Sequence, residues 1–232
     1  MNKVDILAFG AHPDDVEIGM GGTLYKYANL GYRTLICDLT YAELSSNGTV
    51  SERQEEAKQA ATLLKTNRVQ LDLPDRGLML AKESIDKIVD VIRTYEPKLV
   101  FVPYPIDRHP DHGHCAALVK EAIFNAGIRK YETGQPLPAF RVTRCFSYLI
   151  NGFHKPDFII DISESMEQKL EALKAYKSQF IATATSVQTP LTNGYIETVT
   201  ARERLFGKEV GVQYGEGFLA DGPILVQDIL GE

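Results

Sequence analysis

The apolar residues of this chain alternate between short continuous blocks and helically spaced stripes. Val4 to Phe9 reads as a buried strand, and a helix is expected from about Ile18 to Leu30, with Gly31 as its stop signal. Arg33 to Leu39 is the next strand. A polar loop, Thr40 to Val50, leads to Ser51-Glu52-Arg53-Gln54, which reads as a capping box in which Ser51 and Gln54 satisfy each other's amides. In the helix that follows, Ala57, Ala60, Ala61 and Leu64 keep the i, i+3, i+4, i+7 spacing of one buried face. Val69 to Leu73 is a short strand ended by Pro74. Ser84 opens a helix whose buried face is Ile85, Ile88, Val89 and Ile92, and Pro97 closes it before the strand Leu99 to Val102. A helix is expected over about Gly113 to Asn125, strands over Cys145 to Ile150 and Phe158 to Ile162, and a helix over Leu170 to Phe180. Beyond these, Thr183 to Asn193 reads as loop, Ile196 to Phe206 as helix and Ile224 to Val226 as a final short strand.

Strands that alternate with helices of this length imply βαβ units, hence an α/β fold with a mostly parallel sheet covered by helices on both faces. No repeat, low-complexity tract or linker divides the 232 residues, so a single domain over 1–232 is expected. The net charge of −6 and the lack of any Lys/Arg-rich run argue against a nucleic-acid surface, which needs clustered cations. No apolar run approaches the roughly 18 residues of a membrane helix. Met1 to Gly10 carries Lys3 and Asp5 and then enters a strand, unlike a signal or transit sequence, so a cytoplasmic location is expected. Cys37, Cys115 and Cys145 share no metal-ligand spacing and read as small buried hydrophobes.

The reactive side chains gather at two places. His12-Pro13-Asp14-Asp15-Val16-Glu17 follows the first strand, and Arg108-His109-Pro110-Asp111-His112-Gly113-His114 follows Leu99 to Val102. Of five histidines only His154 lies outside them. In open α/β sheets ligands bind beyond the carboxyl ends of the strands, where strand order reverses. With the order 3-2-1-4 for the first four strands, strands 1 and 4 are neighbours there and the two segments face one another. A divalent metal held by His12, Asp15 and His112 keeps a position open for water, whose pKa falls to about 7 at zinc. Asp14 is then free as a general base, and His109 as an imidazolium donor to a developing oxyanion, oriented by Asp111. Two imidazoles and one carboxylate also describe the facial triad of non-haem Fe(II) oxygenases, and Fe2+ can replace Zn2+ without a change of ligands. A non-catalytic Rossmann-like nucleotide-binding protein is a further alternative, one that leaves Asp14 and His109 without a purpose. Asp14 and Asp15 also suit the amino end of a helix as capping acids. Gly19-Met20-Gly21-Gly22 lies too far past the strand for a dinucleotide fingerprint and reads as permitting close helix packing. His114 and His154 are expected at the surface.

His12-Pro13-Asp14-Asp15-Val16-Glu17 and His109-Pro110-Asp111-His112 resemble the two motifs of the LmbE-like (PIG-L) N-acetylglucosamine deacetylases, zinc hydrolases on a Rossmann-like fold. Within that family the resemblance runs toward the bacillithiol-pathway enzymes that deacetylate N-acetylglucosaminyl-malate. Tyr214-Gly215-Glu216-Gly217-Phe218 is similar to the family's Tyr-Ala-Glu-Ala-Phe ending. The resemblance implies zinc on His12, Asp15 and His112, Asp14 as base, and His109 with Asp111 at the oxyanion. It further implies Arg53 as a substrate-binding residue, a small-molecule N-acetylglucosaminide as substrate, and a homo-oligomer; Arg108, beside the second motif, is expected to bind substrate as well. Arg53 sits in the first turn of its helix, where a cation opposes the helix dipole, which also favours a functional reason for it. Tyr41-Ala42-Glu43-Leu44-Ser45 departs from the family's glycine-flanked Gly-Glu-Leu-Gly pattern.

Overall fold

The computed structural model describes residues 3–225. The chain runs β1 (Ile6–Gly10), α1 (Asp15–Asn29), β2 (Thr34–Asp38), α2 (Val50–Leu63), β3 (Asn67–Gln70), α3 (Lys82–Tyr95), β4 (Leu99–Pro103) and α4 (Pro110–Ala126). It continues with β5 (Arg144–Tyr148), β6 (Phe158–Asp161), α5 (Met166–Ala175), α6 (Lys177–Phe180), α7 (Tyr195–Val210) and β7 (Gly215–Ala220). Among the described residues the strands form one seven-stranded sheet, ordered β3-β2-β1-β4-β5-β7-β6. The pairs among β3, β2, β1, β4 and β5 are parallel, and β7 runs antiparallel to both β5 and β6. The order of the first four strands is the one under which the two histidine-bearing segments face one another.

Both faces of β1 are buried, which is why its sequence is continuously apolar rather than alternating. Leu7 and Phe9 pack with Ile88, Ile92 and Val119 in the α3/α4 layer. Ile6 and Ala8 join Leu24, Ala57 and Leu173 in the α1/α2/α5 layer. None of the described helices is long and apolar enough to cross a membrane.

Four local expectations are corrected. The capping box of α2 is Thr49 with Glu52, not Ser51 with Gln54: Thr49 Oγ1 accepts the Glu52 N–H at 3.2 Å, and Glu52 Oε2 accepts the Thr49 N–H at 2.8 Å. A carboxylate is the stronger acceptor, so the glutamate sets the register. The helix expected over Leu170 to Phe180 is two, α5 and α6, divided at Tyr176, whose buried hydroxyl donates to Glu17 at 2.7 Å. Among the described residues the last strand is β7; Ile224 and Leu225 are exposed and outside any strand, and Val226 lies outside the described residues. Gly215 hides β7 from propensity reasoning, yet packing demands it: a Cβ there would sit 2.4 Å from Ile159. Lastly, α1 starts at Asp15 rather than Ile18 and breaks at Met20, which is non-helical (φ −150°, ψ 23°). The glycines around the break do permit close packing, since a Cβ on Gly19 would meet the Tyr148 ring at 2.1 Å.

Candidate active site

Because β1 and β4 are adjacent and parallel, the two histidine-bearing segments leave their carboxyl ends side by side. The first closes into a tight turn in which the His12 N–H donates to Asp15 Oδ2 at 2.9 Å. That turn holds Asp14 at φ 109°, a left-handed conformation that costs a non-glycine residue on the order of 1–3 kcal/mol and that gathers at functional sites. Asp15 opens α1 and lies between the imidazoles, with Oδ2 3.5 Å from His12 Nδ1 and Oδ1 3.1 Å from His112 Nε2. The remaining ring nitrogens meet further acids. His12 Nε2 is 3.1 Å from Asp75 Oδ1 and 3.5 Å from Asp111 Oδ2, and His112 Nδ1 is 3.0 Å from Asp107 Oδ1. His109, the N-cap of α4, stacks on His112 with ring centroids 5.0 Å apart and meets His12 edge-on at 4.8 Å.

Electrostatically the cluster asks for a cation. Burial disfavours charge on His12, but Asp111, Asp15 and Asp75 outweigh it and raise its pKa well above the ordinary range. Burial is likewise overcome at His112 by Asp15 and Asp107, which push it up to about 9. Asp15 is held well below the usual carboxylate range because His112 and His12 outweigh its burial. Asp14 goes the other way: burial, only partly offset by Arg53, raises it to about 7. Its buried Oδ2 lies 2.8 Å from Arg53 Nη2, which also donates to the Pro13 carbonyl. Imidazole and carboxylate donors pulled into one buried cluster fit a zinc- or iron-type ion. Among the described residues, two trios bring donor atoms within 4.8 Å of one another: His12-His109-His112 and His12-Asp75-Asp111. The sequence-expected trio His12-Asp15-His112 is not one of these; it is joined pairwise through Asp15.

Several expected residues stand differently from expectation. The Asp111 carboxylate does not orient His109. It accepts from the Arg76 backbone at 2.9 Å and side chain at 2.6 Å and faces His12, while its backbone N–H donates to His109 Nδ1 at 3.3 Å. With Nδ1 as acceptor the ring proton stands on Nε2, and burial with the charges of His12 and His112 lowers the His109 pKa, both of which work against the expected imidazolium. Arg53 is buried, with Nε donating to the Pro13 carbonyl at 2.9 Å and Cζ 5.5 Å from the Tyr176 ring centre. It braces the turn that carries Asp14. Arg108 is exposed on the pocket wall. Glu17 is bound by Arg68 and Tyr176, His114 is exposed, and His154 packs on Tyr104 away from the cluster. Sequence reasoning missed Asp75 and Asp107, although each follows β3 or β4 at the same sheet edge, the signal that identified the others. Glu43 accepts the Asp75 N–H at 2.8 Å and so fixes that loop. The pocket above these groups has a volume of about 280 Å³, and Ser45, Asn151, Gln179 and Tyr195 are among its walls.

Residues 7–123 match the family model described as PIG-L: GlcNAc-PI de-N-acetylase. Over 223 residues the chain is 31% identical to the diacetylchitobiose deacetylase of Thermococcus kodakarensis, an overlap covering 91% of this chain and 81% of that protein. It is 25% identical over 218 residues to the "Probable N-acetyl-alpha-D-glucosaminyl L-malate deacetylase 2" of Bacillus anthracis, covering 88% and 93% respectively. The fold is similar to the crystal structure of the conserved protein TT1542 from Thermus thermophilus, with a TM-score of 0.87, 36% identity and coverage of 96% of this chain and 97% of that one. With that match across half of its length and a relative above 30% identity along nearly all of it, the chain belongs to the PIG-L (LmbE-like) family of deacetylases.

Proposed function

We propose that this protein is a zinc-dependent hydrolase that removes the N-acetyl group from a small N-acetylglucosaminide, with N-acetylglucosaminyl-malate as substrate, releasing acetate and a free amine. The observation that carries the reading is Asp14, a buried carboxylate held at φ 109° and braced by Arg53 beside the histidine cluster. Asp15, His12 and His112 would hold the metal. When bound, it supplies Lewis acidity toward the acetyl carbonyl and the attacking water.

The remaining work falls to the chain's own groups. Asp14 takes the proton of the attacking water and later returns it to the departing amine, while Arg53 Nη2 holds its buried Oδ2 at 2.8 Å. His109 donates from Nε2 to the oxyanion as the carbonyl carbon becomes tetrahedral, its ring fixed by the Asp111 backbone N–H. Arg53 keeps the Asp14 turn closed. A pocket of about 280 Å³ lies at the small end of the roughly 300–1,000 Å³ usual for ligand sites, which suits one sugar ring with a compact aglycone. Arg108, exposed on its wall, suits an anionic one.

The similarity to a diacetylchitobiose deacetylase favours a second reading, with a neutral disaccharide as substrate. Acetate release from N-acetylglucosamine, N-acetylglucosaminyl-malate and diacetylchitobiose distinguishes them. The malate conjugate is expected to give the highest kcat/KM, with Arg108→Ala lowering that value alone. A higher value for diacetylchitobiose, unaffected by Arg108→Ala, overturns the anionic aglycone.

A further inference from the structure

The break in α1 is gripped from both sides by charges for which the proposed chemistry has no use. Arg202 of α7 donates from Nη2 to the Ile18 carbonyl at 3.0 Å, at the end of the short segment that begins with Asp15. Glu216 of β7 accepts the N–H groups of Gly22 at 2.9 Å and Thr23 at 2.7 Å, where the helix resumes. Lys169 of α5 joins the two grips, with Nζ 2.6 Å from Glu216 Oε1 and 2.7 Å from Glu203 Oε1, and Glu203 Oε1 accepts from Arg202 Nη2 at 2.8 Å. All four side chains are buried. A buried ion cluster is weak grounds for stability, since apolar replacements are often neutral, whereas its directional bonds fix a geometry.

The other arm of Arg202 reaches the opposite half of the site. Nη1 donates to the Ile150 carbonyl at 2.7 Å, a carbonyl that also lies 3.0 Å from the Tyr195 hydroxyl. The next residue, Asn151, grips Asp107 twice: its N–H donates to Oδ2 at 3.0 Å and its Nδ2 to Oδ1 at 2.9 Å. Asp107 Oδ1 in turn stands 3.0 Å from His112 Nδ1. One guanidinium thus touches the support of Asp15 through Ile18 and the support of His112 through Ile150, Asn151 and Asp107.

We propose that Arg202 is a positioning residue that sets the spacing between the two halves of the metal centre, acting on His112 through Asn151 and Asp107. The inference rests on reading Asp15 and His112 as metal ligands. Arg202→Lys keeps a positive charge beside Glu203 but cannot span both carbonyls, and Asn151→Ala removes the side-chain half of the grip on Asp107 while leaving the backbone bond and the ion cluster intact.

Zinc affinity is measured by chelator competition on the full-length protein and these variants, alongside Tm of the metal-free forms, with His112→Ala as control. Each single variant is expected to bind zinc about 10-fold more weakly, the low end of the effect of outer-shell partners. The double variant is expected to lose clearly less than the sum of the two single losses, because both substitutions act on one path. Wild-type zinc affinity in either variant, even with a lowered Tm, overturns the proposal by making the role purely structural, and additive losses in the double variant overturn the shared path. Should Arg202→Lys fail to fold, Asn151→Ala decides alone. Full zinc retention by His112→Ala would instead refute the ligand assignment on which the proposal stands.

Discussion

His109 and Arg53 show how a single hydrogen bond redirects a residue's chemistry. With Nδ1 accepting from the Asp111 backbone, His109 offers Nε2–H as a donor. His109→Ala should therefore keep its metal while turnover falls roughly 10²-fold, the scale for loss of an oxyanion donor. Metal analysis with steady-state rates checks this, and a metal-free variant would move His109 into the ligand set, as the His12-His109-His112 trio allows. Arg53 reads from sequence as a contact to the larger substrate. Bound instead to Pro13 and Asp14, it should affect the chemical step on every substrate. Arg53→Ala is expected to lower kcat for N-acetylglucosamine and for the larger glycoside to a similar degree. A rise in KM confined to the larger substrate would restore the substrate-binding role.

At the level of elements, α1 is the piece under greatest constraint. Gly19 lies against the fully buried Tyr148 ring, which cannot give way because its hydroxyl donates to the Phe9 carbonyl at 2.7 Å, just before the His12 turn. Gly21, two residues on, has no neighbour closer than 3.5 Å to an added Cβ. The same substitution should therefore have opposite signs at the two positions. Gly19→Ala is expected to destabilise by about 1–3 kcal/mol or more through overpacking. Gly21→Ala should stabilise by about 0.4–1 kcal/mol through the lower entropy of the unfolded chain. Thermal melts followed by circular dichroism decide the matter, and a stable Gly19→Ala would mean that helix and strand are free to separate there.

Across the whole molecule, the ion cluster joining α1, α5, α7 and β7 should make stability depend on acid. Burial acts to raise the Glu203 carboxyl, but Arg202 and Lys169 outweigh it and hold its pKa below the ordinary 4.5. A carboxyl depressed in the folded state stabilises fully above its unfolded pKa, and that contribution is lost as pH falls through the folded value. Wild-type protein should thus lose Tm below about pH 4.5. Glu203→Gln, less stable at pH 7, should lose less, so the gap between them narrows on acidification. A gap that stays constant from pH 7 to 3 would mean Glu203 is not the group responsible.

The alternation of strands and helices and the strand ends that carry His12, Asp15, His109 and His112 were legible in the residues alone, and the order of the first four strands was one of the few that the alternation allows. Periodicity, caps and residue chemistry are local, and the parallel βαβ rule converts them into a topology with few alternatives. The His-Pro-Asp-Asp and His-Pro-Asp-His segments likewise carried the family. What those residues touch was settled only by the folded chain. Asp75 reaches His12 across 63 positions of sequence, and Arg202 reaches Ile18 across 184, so nothing in either neighbourhood announces the partner. The Asp111 carboxylate turns to Arg76 and His12 rather than to His109 because the β3–α3 loop arrives there in space. β7 was hidden for the same reason. Its glycines look like loop until Ile159, Phe206 and Pro156 close on them, and a strand defined by what presses on it leaves no pattern of its own.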